Sequence, residues 1–191
     1  MKVIAFNGSP RQNGNTASLI WAVFQELAEE EIDVEMIQLG GRLIRPCTAC
    51  GECHHNQDRR CVIKDDIVNE CVDKMIEADG IILGSSVHFG DVTGQMKMLI
   101  DRAGMVSGAN ADSFRRKAGA GIVAARRCGA MNAFHTLNNF FLLREMIVVG
   151  SNYWNIGYGR ETGDVMQDEE ALRTMRRLGK NMAWTLKKLK A

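Results

Sequence analysis

Short apolar runs and helical periods alternate along this chain from one end to the other, and few folds accept that pattern. "KVIAF" (2–6) is a continuous apolar run, as a strand covered on both faces requires. From about Thr16 to Glu30 the residues Leu19, Ile20, Val23, Phe24 and Leu27 recur on one helical face. "DVEMIQL" (33–39) alternates, which predicts a strand nearer an edge. The acidic pair Asp65-Asp66 suits a helix N-terminus, with the helix running to about Glu77. The series continues with "GIILGSS" (80–86), a helix over about 93–104, "AGAGIVAA" (118–125) and a helix over about 130–145. "MIVVGS" (146–151) is the fifth strand, and a basic amphipathic helix over about 168–189 closes the chain. Five strands, each followed by a helix, predict an α/β fold with a parallel sheet covered on both faces.

At 191 residues the chain suits a single domain (1–191) that buries a core without staples. A net charge of +1 gives no bulk field toward nucleic acid or an anionic membrane. No segment approaches the roughly 20 apolar residues of a membrane span, and "MKVIAFNGSP" is too short for a signal-peptide core. The expected compartment is the cytoplasm, where thiols stay reduced.

The loop after strand one, "NGSPRQNGNTA" (7–17), carries Gly8, Ser9, Gly14, Asn15 and Thr16. These residues suit a tight turn whose amides and hydroxyls face an anion, with the first-turn amides of the helix beside them. No Lys precedes Thr16, so the spacing is not a Walker A loop, and it does not match G-x-G-x-x-G. A single terminal phosphate suits this cradle better, which points to a mononucleotide such as FMN.

In open parallel sheets, ligands bind beyond the carboxyl ends of the strands where strand order reverses. In a flavodoxin-like order 2-1-3-4-5, three segments converge there: 9–17, "SSVHFGDVTG" (85–94) and "ARRCGAM" (125–131). The second can wrap a planar ring with Ser86, Val87, His88, Phe89 and the amides around Gly90. The third brings Arg126, Arg127 and Gly129 near, the arginines facing either the crevice or solvent. "GYGRETGD" (157–164) is a long glycine-rich connection of the kind that carries function.

The other informative stretch is "CTACGECHHNQDRRC" (47–61), inside an irregular loop of roughly 40–64. Its spacing is C-x2-C-x2-C-x7-C. Consecutive C-x2-C steps let a chain curl around a four-iron cube and reach three corners, with a fourth Cys further along. Cys47, Cys50, Cys53 and Cys61 fit that pattern. Structural zinc uses two separated knuckles more often, though His54 and His55 leave a mixed zinc site open. Cys53 to Arg59 also matches a phosphatase C-x5-R, in the wrong structural setting. Cys71 falls in a helical pattern as a small core residue, and Cys128 is read as a structural thiol with a redox role as the alternative.

Together these residues resemble the iron–sulfur flavoprotein branch of the NADPH-dependent FMN reductase family, which has a flavodoxin-like three-layer sandwich. The likeness rests on "GSPRQNGNT", the four-Cys loop, "CVIKDD" (61–66), "GQMKMLIDR" (94–102), "NNFFL" (138–142) and "GDVMQDEEAL" (163–172). It implies that FMN phosphate sits on Ser9, Arg11, Asn13, Asn15 and Thr16, with Ala17 closing the loop. It implies ring contacts from Ser86, Val87, His88, Phe89, Gly90 and Asp91 and from Ala125, Arg126, Arg127 and Gly129. It implies a [4Fe–4S] cluster on Cys47, Cys50, Cys53 and Cys61. Two departures stand out: Ser86-Val87-His88-Phe89 where relatives often have Pro and Tyr, and Cys128-Gly129 where they often have Gly-Gly.

The expected function is a flavin-dependent redox protein. A ferredoxin-like donor would supply electrons through the cluster to FMN and on to a small-molecule or protein acceptor, with no side chain required as a general acid or base. A flavin-only NAD(P)H oxidoreductase, with NADPH as donor, is the first alternative; a redox sensor or partner-binding module is the second. "NNFFLL" (138–143) and Tyr153-Trp154 are candidates for a homodimer or homotetramer contact.

Overall fold

The computed structural model describes residues 1–190. Its sheet is parallel, with strands in the order 33–38, 2–7, 80–86, 118–125 and 147–148, and a further strand paired to the fourth of these. β1 (Lys2–Asn7) runs between β2 (Asp33–Gln38) and β3 (Gly80–Ser86), so Phe6 lies beside both Ile37 and Leu83. β4 (Ala118–Ala125) pairs with β3 over seven registered positions, Gly80 with Ala118 through Ser86 with Ala124. β1 is buried from Val3 onward and β4 along its whole length, as a strand covered on both faces must be. β2 is only partly buried because it forms an edge.

Helices cover both faces. On one, α3 (Val68–Glu77), α4 (Gly94–Ala109) and α5 (Ala130–Leu143) pack Met75, Leu99 and Phe141 against Phe6, Ile81 and Leu83. On the other, α1 (Asn15–Glu29) and α6 (Glu169–Lys190) pack Leu19, Val23, Met175 and Met182 against Val3, Ala5 and Ile82. Phe140 and Phe141 therefore belong to the core, as does Cys71, whose thiol burial pushes up to about 12. The basic face of α6 points to water while Leu172, Leu178 and Leu186 face inward.

Two elements differ from the sequence expectation. The fifth strand, expected over 146–151, is only β5 (Ile147–Val148), paired with Ala118 and Gly119. The chain then leaves the sheet and rejoins it as β6 (Ile156–Tyr158), beside Val123–Ala125. Polar side chains hold this detour: Ser151 donates to Asn155 Oδ1 (2.7 Å), and Asn155 donates to the carbonyl of Gly121 (3.1 Å). "IGY" carries too little apolar signal to announce a strand. The second difference is a short helix, α2 (Glu52–Asn56), inside the cysteine loop, entered through Gly51 at φ 79.

Candidate functional site

The carboxyl ends of β1, β3 and β4 open into a cleft of about 290 Å³. Ser9, Arg11, Asn15 and Thr16 line it from the first loop, Ser86, Val87 and His88 from the second, and Arg126 from the third. The switch point between β1 and β3 thus brings together the segments that the strand order requires.

The first loop is fixed by side chains of its neighbours. Asn7, fully buried, donates to Gln38 Oε1 (2.7 Å) and accepts from the amide of Ser9 (3.0 Å). Gln38 in turn donates to the carbonyl of Ser9 (2.6 Å). Thr93 donates to the carbonyl of Gly8 (2.8 Å), tying the loop to the start of α4. Gly40 touches the other side of the loop: a Cβ there would meet the Ser9 carbonyl oxygen at 2.0 Å, so no other residue fits without displacing the loop.

The cleft floor carries groups that lack partners. α1 begins after Gly14 with no side-chain cap and no acidic residue in its first turn, which leaves the amides of Asn15, Thr16 and Ala17 without intrahelical acceptors. Thr16 Oγ1 and Ser86 Oγ are buried and have no hydrogen-bond partner. Orphaned hydroxyls beside free helix amides fit a phosphate-bearing ligand, since burying them unpaired is unfavourable. The donor set therefore fits the phosphate end of FMN.

Asn15 has a different position from its neighbours. Its amide donates to the Glu161 carbonyl (2.9 Å), and its Oδ1 accepts from Gly163 N (2.9 Å). The glycine-rich connection is thereby drawn over the cleft, where Gly159 and Arg160 join the lining. Arg11 donates to the Arg160 carbonyl (3.1 Å) from the opposite side. Asn13 is exposed at the loop tip and Ala17 is buried beneath it.

The second loop ends in a tight turn. His88 and Asp91 exchange backbone hydrogen bonds (2.8 and 3.0 Å) around Phe89 (φ 46) and Gly90 (φ 83). The pair of positive φ values is that of a type I′ turn. Phe89 is fully exposed and outside the cleft, and Asp91 spends its carboxylate on the amide of Val92 (2.7 Å). Gly129, at φ 86, packs on this turn: a Cβ there would lie 2.9 Å from Gly90 Cα. Asn132 also donates to the Gly90 carbonyl (2.9 Å), so the second and third loops support each other. Of the two arginines, Arg126 lines the cleft while Arg127 faces solvent; Ala125 is buried behind them and Cys128 is exposed.

The cysteine loop forms a second pocket that shares no lining residue with the cleft. Cys47, Cys50, Cys53 and Cys61 all line one small enclosed void, closed below by Arg102, Met105 and Val106 of α4. Burial pushes the Cys53 thiol up, and the neighbouring Cys61 and Cys47 act in the same direction. Among the described residues no three His, Cys, Asp or Glu side chains converge on a single metal ion. Four thiols spread around one void suit the separate corners of a cube better than one tetrahedral ion. His54 and His55 are exposed on α2, away from the void's lining.

The loop is anchored from α3 and α4. Asn69 accepts from Cys61 N (2.8 Å) and donates to the carbonyls of Cys61 (3.0 Å) and Ile63 (3.1 Å). Arg102, without side-chain exposure, pairs with the equally buried Asp66 and donates to Cys61 Sγ (3.3 Å), Arg45 O (3.3 Å) and Ile63 O (3.0 Å). Despite its burial, which acts upward, Asp66 is held below the usual carboxylate range by Arg102 and the amides of Arg45 and Val68. The signal for Arg102 in the sequence is only its place in the quoted motif "GQMKMLIDR" (94–102); Asn7, Gln38 and Asn69 carry none.

Comparison with known proteins accords with this geometry. Residues 1–161 match the family model described as NADPH-dependent FMN reductase. An iron–sulfur flavoprotein of Methanocaldococcus jannaschii is 41% identical over 197 residues, covering 100% of both chains. An iron–sulfur flavoprotein of Archaeoglobus fulgidus is 31% identical, with 98% of each chain covered. Among solved structures, a flavodoxin from the domain Archaea superposes with a TM-score of 0.63 at 18% identity, over 98% of this chain and 99% of that one. That likeness speaks to the fold, which is flavodoxin-like.

Proposed function

This chain belongs to the NADPH-dependent FMN reductase family, on its iron–sulfur flavoprotein branch, and from that premise we propose an electron-transfer protein with FMN in the strand-end cleft and a [4Fe–4S] cluster in the cysteine pocket. The observation that carries this reading is the presence of two separate sites with matching chemistries. One has unpartnered hydroxyls and helix amides; the other has four thiols around a single void.

In this reading Ser9, Arg11, Asn13, Thr16 and Ala17 bind the FMN phosphate, and Asn15 holds the 159–165 connection over it. Ser86, Val87, His88 and the amides around Gly90 border the ring. Arg126 places a cation at the cleft, where it offsets negative charge on a reduced ligand. Cys47, Cys50, Cys53 and Cys61 supply thiolates to the cluster. FMN provides one- and two-electron chemistry and the cluster provides single-electron transfer, so the protein's part is positioning and tuning. No side chain acts as a general acid or base.

The donor is a low-potential one-electron carrier of the ferredoxin type, and the acceptor a quinone, an oxygen species or another protein. The chain works as one domain in the cytoplasm, assembled as a homodimer or homotetramer. Leu142, Leu143, Tyr153 and Trp154, all more than half exposed, offer the contact surface. No described helix is long and apolar enough to cross a membrane.

A second reading is a flavin-only NAD(P)H oxidoreductase, favoured by the match of residues 1–161 to the family described as NADPH-dependent FMN reductase. Anaerobic stopped-flow mixing separates the two. Reduced ferredoxin should bleach the flavin band quickly in the native protein and far more slowly after Cys50→Ser. Fast bleaching by NADPH that survives Cys50→Ser would favour the flavin-only enzyme.

A further inference from the structure

We infer that Arg102 sets the reduction potential of the cluster, by donating a charge-assisted hydrogen bond to the sulfur of Cys61. This inference rests on the cluster reading above. Arg102 is among the largest fully buried side chains in the chain. Burying a guanidinium is expensive, and a buried ion pair is seldom a net gain over apolar packing. Arg102 anchors the loop at the carbonyls of Arg45 and Ile63, but at Cys61 anchoring does not explain it, because Asn69 already holds that backbone on both its N–H and C=O. What Arg102 adds is a cationic N–H aimed at sulfur: Nε lies 3.3 Å from Cys61 Sγ.

The sulfur of a ligating cysteine is a thiolate, an acceptor that strengthens as the site gains negative charge. A hydrogen bond to it stabilises the reduced state more than the oxidised one and so raises the potential. Among the described residues no other side chain donates to the sulfur of Cys47, Cys50, Cys53 or Cys61. Cys61 is thus the ligand singled out. Asp66 partners the cation, so that the pair is neutral and the directed N–H remains as the main influence on the sulfur. In the step concerned, one electron leaves the ferredoxin-type donor and enters the cluster; no bond breaks and no proton moves, since Arg102 stays cationic in both states.

An EPR-monitored anaerobic redox titration tests this, with iron and sulfide determined on every sample and the FMN midpoint as internal control. The variants are Arg102→Lys, which keeps the charge but loses the fork that reaches sulfur and Asp66 together, and the double Arg102→Gln/Asp66→Asn. The double removes both charges at once, leaving no orphaned ion. Both should lower the cluster's reduction equilibrium about tenfold, or about 59 mV for one electron, with the FMN midpoint unmoved. A full cluster with an unmoved potential in either variant overturns the inference. Should both variants lose iron, the native protein decides. Labelling with ¹⁵N-arginine should give a nitrogen coupling to the reduced cluster in pulsed EPR, and its absence overturns the inference. Native protein with flavin but without iron or sulfide instead overturns the cluster reading itself, and the inference with it.

Discussion

The cleft and the cysteine pocket are built by opposite means. The cleft grows out of the sheet: strand ends fix its walls, helix amides line its floor, and side chains of the strands and of the α4 start, Asn7, Gln38 and Thr93, clamp one loop. Only two of its buried hydroxyls stand unpaired. The cysteine pocket lies in a loop with one short helix, and its order comes from two polar side chains on the helices beneath, Asn69 and Arg102. The first site is carried by the fold and the second is attached to it. Damage should therefore stay local to each.

The largest effect belongs to the thiols. Cys53→Ser should remove nearly all iron and sulfide while leaving bound flavin unchanged; loss of flavin in parallel would show that the sites depend on each other. Next is Gly40→Ala. The added Cβ must push the Ser9 backbone aside, an overpacking worth about 2–3 kcal/mol. FMN affinity, measured by flavin fluorescence quenching, should fall at least about tenfold with the iron content intact.

Thr16→Val sharpens the comparison further. Losing a hydrogen bond to a charged group costs about 1.5–3 kcal/mol, so FMN binding should weaken about tenfold or more. The flavin-free protein should lose no stability to urea, because the variant removes an unpaired buried hydroxyl. A destabilised apoprotein would mean that the hydroxyl already has a partner.

How much of this was legible depended on what each residue had to do alone. Strands β1, β3 and β4 announced themselves because burial on both faces demands unbroken apolar runs. Cys47, Cys50, Cys53 and Cys61 were visible because thiol spacing is local. Asn7, Gln38 and Asn69 were not, because each acts through hydrogen bonds to chain distant in sequence, and a polar residue at a strand end or in a helix has no distinctive pattern. Phe89 shows the converse. Its place in a loop expected to wrap a ring gave no hint that a type I′ turn would point it at solvent. Likewise β6 was lost among glycines, though the connection that overlaps it, 157–164, was recognisable as unusual.

The smallest expected effect is on pH dependence. Asp66 has a folded-state pKa below its unfolded value of about 3.9. Its contribution is therefore present above that value and lost as pH falls through the lower folded one. The urea midpoint of the native protein should hold steady from neutral pH to about 5 and drop more steeply below about 4 than that of Asp66→Asn. Equal slopes would indicate that Asp66 is not paired as described.

The most direct test is composition. Protein purified anaerobically should contain about four iron and about four sulfide per chain, alongside about one FMN, with flavin bands over a broad cluster absorbance. Flavin without iron or sulfide would contradict the two-site account and leave a flavin-only oxidoreductase.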